Sequence, residues 1–206
     1  MVDLSKLKEE QIKLAEKVIT FDIFEKIKNI AGSDQIHFDG KIISTIVVCD
    51  YKNLKVIEKN YAIVEEKIPY KSGFLFYKDG PAVIDAFNKL ENKPDVLIVK
   101  ANGILHPRRI GMASHLGILL DIATIGVAKR LMLGEVKGNT IYVEKEARGY
   151  GLITREHAKP IYLSPGHKIS LKTSLEIIKN CIRQPHKLPE PLHLAHRYAK
   201  KISEEQ

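Results

Sequence analysis

Apolar residues form two kinds of pattern along this chain, and together they predict a sheet flanked by helices. Short, nearly unbroken apolar runs rich in Val and Ile are typical of buried strands. They predict strands over residues 30–38, 42–50, 54–65, 95–100, 123–128 and 160–163. Residues 141–153 predict a hairpin or a pair of edge strands, and residues 164–167 a turn.

A second pattern, with the periodicity of an amphipathic helix, opens the chain. Over residues 1–19 it places Leu4, Leu7, Leu14 and Val18 on one face and lysines and glutamates on the other. We expect residues 1–29 to form a helical cover on the sheet. The remaining helices are predicted over residues 21–28, 81–90, 111–120, 170–181 (capped by Ser170) and within the tail after residue 188.

The turn signals determine how the first strands connect. Asp39-Gly40 is a two-residue hairpin signal and Lys52-Asn53 a second tight turn, so the first three strands form an antiparallel meander. A helix, a strand, a helix and a strand follow. Right-handed crossovers place these last two strands parallel to the first. The order predicts a single α/β domain over residues 1–206, with a ribonuclease H-like mixed sheet and an extension over residues 130–206.

Polar residues follow the strand predicted at residues 95–100. The loop after it carries His106, Arg108 and Arg109 and leads into the helix predicted at residues 111–120. Ligands usually bind at the carboxyl ends of the strands in open α/β folds. Two arginines and a histidine there favour a phosphate-bearing ligand, and the alternative is a solvated basic loop.

Charge and composition favour a polyanionic partner. The formal net charge is +8 and the sequence pI is about 9.3, as expected for a protein that binds nucleic acid. We expect no membrane association, because no apolar run approaches the length of a span. The start lacks an apolar signal core, and Cys49 and Cys181 fit no metal spacing, so we expect a cytoplasmic protein.

Two aspartates stand out as candidate metal ligands. Asp34 lies inside a strand, where a carboxylate is unfavourable by propensity; the alternative is an outward-facing, solvated side chain. Asp79 is a second candidate acid, and its alternative role is to cap a helix that begins at Pro81. Acids on the first strand and at the end of the fourth strand meet in this topology. That geometry suits a phosphodiesterase that uses Mg²⁺.

Aromatic and basic residues alternate in the loop predicted over residues 68–81. Such loops stack against or wedge between bases. Tyr70 is the wedge candidate, whereas Phe74 and Phe76 are expected to anchor the loop to the core. Lys129, at the end of a strand, is either a phosphate contact or an exposed loop lysine. His196 lies three residues after His193, a spacing that allows a metal site or a polar surface.

From about residue 30 to residue 202 the chain resembles the endonuclease V family, the deoxyinosine-directed repair nucleases. The motifs are IAGSD, PYKSGFLFYKDGP, NGILHPRRIGMASHLG, TIGVAK, SPGH and PEPLHLAHRYA, in this order. The resemblance implies cleavage, dependent on Mg²⁺ or Mn²⁺, one nucleotide to the 3′ side of a deaminated base in DNA, without removal of that base. It allows inosine-containing RNA as a substrate, and we expect a monomer.

The resemblance also implies roles for individual residues. Asp34 and Asp79 would hold the metal, with Asp79 where the family has glutamate, and His196 would position or activate water. Lys129 and His106 would stabilise phosphate charge. Tyr70 would belong to a strand-separating wedge that usually reads Pro-Tyr-Ile-Pro, and this chain has Lys71 and Ser72 in place of its last two residues. Gly73, Leu75 and Gly103 would form a base pocket built largely from backbone. Lys71, Arg108 and Arg109 complete the residues that we expect to contact nucleic acid, the two arginines through phosphate.

The chain departs from the family at Lys100. The family has a metal-binding aspartate followed by glycine, and this chain has Lys100 and Ala101. At about 6 Å and an effective dielectric of about 20, the change of two charge units costs a divalent cation several kcal/mol. Lys100 is free to form an ion pair with Asp34 or Asp79 and to occupy the place of the metal. Metal binding is therefore expected to be weakened.

Three explanations for Lys100 remain open at this point. The chain is a natural homologue with lost or altered metal chemistry, or an engineered knock-out, or Lys100 points away and another group supplies the ligand. Three functions also remain open. The first is a nuclease of the endonuclease V type, the second a protein that binds deaminated nucleic acid without cutting it, and the third a nuclease in which Lys100 polarises water.

Overall fold

The strands of the first half of the chain form the predicted meander and parallel pair. In the computed structural model, which describes residues 3–206, the meander consists of β1 (Asn29–Phe38), β2 (Lys41–Asp50) and β3 (Val56–Glu65). Asp39 and Gly40 both have positive φ, as a tight hairpin requires. The strands β4 (Val96–Val99) and β5 (Ala123–Ala128) follow, and β4 pairs in parallel with both β1 and β5. This mixed arrangement confirms the predicted fold class.

The second half of the chain extends the same sheet. Its strands are β6 (Glu135–Lys137), β7 (Thr140–Val143), β8 (Glu146–Leu152) and β9 (Ile161–His167). The order across the sheet is β3-β2-β1-β4-β5-β9-β8-β7-β6. The prediction of a turn at residues 164–167 is wrong, because these residues continue β9. Pro165 is accommodated where the β5–β9 register shifts, and a bulge is one of the few places where a strand tolerates proline.

The helices cover both faces of the sheet. They are α1 (Leu4–Ala15), α2 (Leu75–Asn88), α3 (Met112–Leu120), α4 (Leu171–Asn180) and α5 (Glu190–Glu204). One core layer lies under α2 and α3 and the other under α4 and α5. Ser170 caps α4 as predicted, since its side chain accepts from the amide of Thr173. No helix within residues 3–206 is long and apolar enough to cross a membrane.

Near the N-terminus one predicted helix is absent and another is shorter than predicted. Residues 21–28 form no helix, because Asp22 instead accepts hydrogen bonds from Ser170 and Thr173 at the start of α4. α1 ends at Ala15, before the predicted residue 19, and its predicted first two residues lie outside the described part of the chain. The Tyr77 hydroxyl donates to the carbonyl of Leu7, so α1 contacts the start of α2.

The start of α2 also differs from the prediction. The helix begins at Leu75, before the predicted start at Pro81, and Pro81 lies inside it. Contacts of Phe76 with the core and of Tyr77 with α1 hold the extra turn in place. Asp79 is therefore buried within the helix, and the alternative that it caps a helix beginning at Pro81 is wrong.

Close backbone approaches at glycines bring the polar loops to the sheet. A Cβ on Gly126 in β5 would lie 2.3 Å from the amide nitrogen of Gly103. We expect Gly126→Ala to lower the free energy of unfolding by about 1–3 kcal/mol, because side chains cannot be added to a packed interior without strain.

The matched control is Gly151→Ala in β8, whose Cβ would meet the ring of Tyr162 at 3.6 Å, an ordinary contact. Its effect should stay below about 1 kcal/mol. Urea unfolding followed by circular dichroism measures both variants. Equal destabilisation of the two would contradict this account of the packing.

Candidate active site

Asp34 lies on β1, where the neighbouring parallel strand β4 ends. Asp34 is 1% exposed, so the alternative of an outward-facing, solvated aspartate is wrong. The amide of Lys100 donates to the carbonyl of Ser33 at 3.2 Å, which places the residue after β4 directly beside the carboxylate. The sheet register therefore determines which side chain meets Asp34.

That side chain is the ammonium group of Lys100. Its Nζ donates to Oδ1 of Asp34 at 2.6 Å and to Oδ2 at 2.8 Å. Nδ1 of His196, on α5, also lies 2.5 Å from Oδ2, and the amide of Gln35 donates to Oδ1 at 2.8 Å. Each oxygen thus accepts two hydrogen bonds. Because an ionised carboxylate offers about four lone-pair positions, none remains free for another ligand.

Asp79 does not share this arrangement. Its Oδ1 lies 2.9 Å from Nε2 of His37, a residue on β1. Burial raises the pKa of the Asp79 carboxyl, and the hydrogen bond from His37 partly offsets that rise. Of the two aspartates that the sequence offers to Lys100, the structure pairs it with Asp34.

The residues around Asp34 do not fit a divalent cation. A metal needs the lone pairs that Lys100, His196 and Gln35 occupy, and it would face the ammonium charge across a short distance. Among residues 3–206, no group of three or more His, Cys, Asp or Glu side chains is arranged to hold a metal ion. In this structure Asp34 and Asp79 have the protein partners described above, and the metal-binding role that the resemblance implies for them stays a prediction.

A cavity of about 480 Å³ opens beside the ion pair. Several predicted site residues line it, namely Tyr70, Gly73, Leu75, Lys100, His106 and Lys129. Tyr70 is 60% exposed and stands at solvent, as a wedge residue must. Lys129 lines the same cavity as Lys100, and burial and the charge of Lys100 both lower the pKa of Lys129. This cavity combines a predominantly apolar wall with two cations.

Three side chains converge on one backbone carbonyl in the wall of the cavity. The oxygen of Gly73 accepts from Nη2 of Arg108 at 2.7 Å, from Nε2 of Gln11 at 3.0 Å and from Nε2 of His106 at 3.2 Å. Nδ1 of His106 accepts from the amide of Arg108, so its proton resides on Nε2. Burial lowers the pKa of His106 to about 4, and the charge of Arg108 adds to this effect.

Known proteins resemble this chain in sequence and in fold. The Endonuclease V family model matches residues 12–197. The endonuclease V of Dictyoglomus thermophilum is 40% identical over 199 residues, which cover 93% of this chain and 87% of the relative. The chain belongs to the endonuclease V family.

Solved structures of the family superpose over the whole fold. The Bacillus subtilis endonuclease V matches with a TM-score of 0.90 and 30% identity, covering 100% of this chain and 94% of that one. The Ciona intestinalis endonuclease V matches with a TM-score of 0.88 and 27% identity, covering 98% of each chain. That crystal contains a 24mer DNA with an inosine followed by a ribo-adenosine.

Other residues that the family resemblance selects have protein partners in this structure. Arg108 contacts Gly73, and its guanidinium carbon lies 4.5 Å from the centre of the Phe74 ring. Arg109 forms an ion pair with Glu146 at the start of β8. The phosphate contacts expected of the two arginines, and the nucleic-acid contact expected of the exposed Lys71, stay predictions.

Gly103 is buried and does not line the cavity. Its amide donates to Oγ of Ser164, and a Cβ would lie 1.9 Å from the carbonyl oxygen of Pro165. The glycine is needed for packing against β9. Its proposed contact with a base stays a prediction.

Sequence reasoning missed two residues that shape the site. Gln11 falls between Leu7 and Leu14 on the apolar face of α1, and a polar residue in that position is a usable signal. His37 carried no comparable signal, because its contact with Asp79 joins a strand to a helix that is distant in sequence.

Two buried histidines should make stability depend on pH. Burial lowers the pKa of both His106 and His115 from 6.5 to about 4. The unfolded chain therefore binds more protons than the folded one between these values. We expect the free energy of unfolding to fall as the pH drops from 6.5 to 4, by about 1 kcal/mol per pH unit for each histidine.

The variant His115→Phe removes the contribution of one of the two histidines to this pH dependence. The His115 ring stacks on Phe76 at 3.5 Å, and its Nδ1 has no hydrogen-bond partner within residues 3–206, so phenylalanine retains the packing. Urea unfolding at a series of pH values should show a shallower slope for this variant. An unchanged slope would mean that His115 does not remain neutral in the folded protein.

Proposed function

We propose that this protein recognises a deaminated base, inosine in particular, in nucleic acid, and that Lys100 suppresses cleavage by occupying the carboxylate that would hold the metal. The first part is supported by membership of the endonuclease V family and by the inosine-containing DNA in the Ciona intestinalis structure. The second part depends on one observation. Nζ of Lys100 contacts both carboxylate oxygens of Asp34.

This ion pair disfavours a divalent cation at Asp34. A divalent cation at Asp34 must displace Lys100 and then bind with the ammonium charge still nearby. At a separation of about 6 Å and an effective dielectric of about 20, this repulsion is several kcal/mol, equivalent to a thousandfold or more in affinity. The Asp34 side chain of this pair is buried, so removing its partner is unfavourable. Lys100 therefore acts as a built-in competitor of Mg²⁺.

Base recognition does not require the metal in this account. The wall of the cavity at Gly73 and Leu75 is backbone, and its shape is maintained by hydrogen bonds that do not include Lys100. The cavity volume of about 480 Å³ lies in the range of small-molecule pockets and accommodates one extruded base. The net charge of +8 favours the approach of the nucleic-acid backbone.

A second candidate function is cleavage by the residues that remain. The contact between His196 and Asp34 favours it, because a histidine on a buried carboxylate is suited to activate water. Lys100 and Lys129 would then stabilise the charge on phosphate in place of a metal. The bond cleaved would be the one that the family cuts, one nucleotide to the 3′ side of the base.

The test is cleavage of an end-labelled duplex with a single deoxyinosine, with Mg²⁺ or Mn²⁺. We expect the unaltered protein to bind this duplex more tightly than an undamaged one and to leave it uncut. Lys100→Asp removes the ammonium group and restores a carboxylate, so it should raise the rate of nicking at least about a hundredfold. A second substitution, Asp34→Asn, should abolish the gain.

The control is Lys52→Asp, which makes the same change in net charge at an exposed turn. It should leave cleavage unchanged. Efficient nicking by the unaltered protein would contradict the role of Lys100 and favour the second candidate. Equal binding of the damaged and undamaged duplexes would contradict inosine recognition itself.

A further inference from the structure

A buried glutamine connects the N-terminal helix to the cavity. Gln11 is 1% exposed, and it lines the cavity beside Gly73. Its Nε2 donates to the Gly73 carbonyl at 3.0 Å, and its Oε1 accepts from Nε of Arg108 at 2.6 Å. Because arginine only donates, the orientation of the amide is determined. Both ends of the side chain are therefore used: one binds the Gly73 carbonyl directly, and the other binds Arg108, which donates to the same carbonyl.

The loop needs this support because it lacks a cap of its own. Gly73 has a φ of +79°, in the left-handed region that glycine enters and leaves easily. Phe74 follows as the N-cap of α2, and it makes no side-chain capping hydrogen bond. The direction of the first backbone groups of α2, which line the cavity, thus depends on what binds the Gly73 carbonyl. Gln11, His106 and Arg108 bind it from outside the loop.

α1 has another attachment close by. The hydroxyl of Tyr77 donates to the carbonyl of Leu7 at 3.1 Å. The helix can therefore stay docked when the Gln11 contacts change. A role of Gln11 in shaping the loop can therefore be tested separately from a role in holding α1 in place.

We infer that Gln11 is a positioning residue for base recognition: through Gly73 and Arg108 it sets the backbone shape of the pocket wall that receives the base. The inference rests on the proposed function, because it names the residue that controls the selectivity of the same pocket. Arg108 is part of this device, and its stacking on Phe74 fixes the guanidinium plane that Gln11 contacts.

The variant Gln11→Glu tests this role. Glutamate keeps an acceptor for Arg108, now strengthened by charge, and so keeps the side chain in place. It removes the donor to Gly73 and sets a carboxylate oxygen against the carbonyl. The ratio of affinities for an inosine duplex and an undamaged duplex should fall about tenfold. Fluorescence anisotropy in EDTA measures both affinities without cleavage, and the affinity for undamaged DNA and the melting temperature should stay unchanged.

The matched control is Gln184→Glu. Nε2 of Gln184 also donates to a backbone carbonyl, that of Thr154 at 2.9 Å, and this residue does not line the cavity. A second readout is hydrogen exchange. Peptides that cover residues 71–77 should exchange faster in Gln11→Glu than in the unaltered protein, and should not change in the control.

The outcomes separate the inference from the proposed function. Faster exchange in a protein that shows no preference for inosine would refute the proposed function and support the positioning of the loop by Gln11. An unchanged affinity ratio with unchanged exchange would overturn the inference. A lower melting temperature with equal losses for both duplexes would also overturn it, because Gln11 would then serve stability alone.

Discussion

The contact between Asp34 and Lys100 is the interaction on which the organisation of this site depends. It joins the middle of β1 to the end of β4, and His196 attaches α5 to the same carboxylate. A buried charge that loses its partner typically costs about 3–5 kcal/mol, so each of these groups depends on the others. The family resemblance places two carboxylates and a metal here. This chain instead holds one carboxylate and an ammonium group at the same position.

The cavity wall and the ion pair are held by separate sets of contacts. Gln11, His106 and Arg108 converge on Gly73, whereas Lys100 and His196 converge on Asp34. A change in one set therefore leaves the other intact. The proposed combination, recognition of a base with cleavage suppressed, depends on this separation of the two sets of contacts.

Local signals were sufficient to predict much of the fold. The hairpin at Asp39-Gly40 and the apolar runs of β4 and β5 depend on neighbouring residues, and the structure confirms them. The early start of α2 and the length of β9 depend on distant contacts, through Tyr77 to α1 and through Pro165 to β5, and the sequence predictions there were wrong.

The same distinction applies to the site. Its motifs identified the family, and Lys100 was recognisable as a departure from the aspartate that the family carries at this position. The choice of Asp34 over Asp79 as its partner required the register of β1 and β4, which composition and periodicity do not contain. The network around Gly73 joins residues from α1 and from two loops, so sequence spacing alone did not predict it.

The most direct test of the central claim is the affinity for Mn²⁺, measured by electron paramagnetic resonance on the unaltered protein and on Lys100→Asp. We expect Lys100→Asp to bind one Mn²⁺ at least about a hundredfold more tightly than the unaltered protein, and we expect the addition of Asp34→Asn to remove this gain. Equal affinities for Mn²⁺ in the unaltered protein and in Lys100→Asp would contradict the account, because Lys100 would then not be the group that excludes the metal.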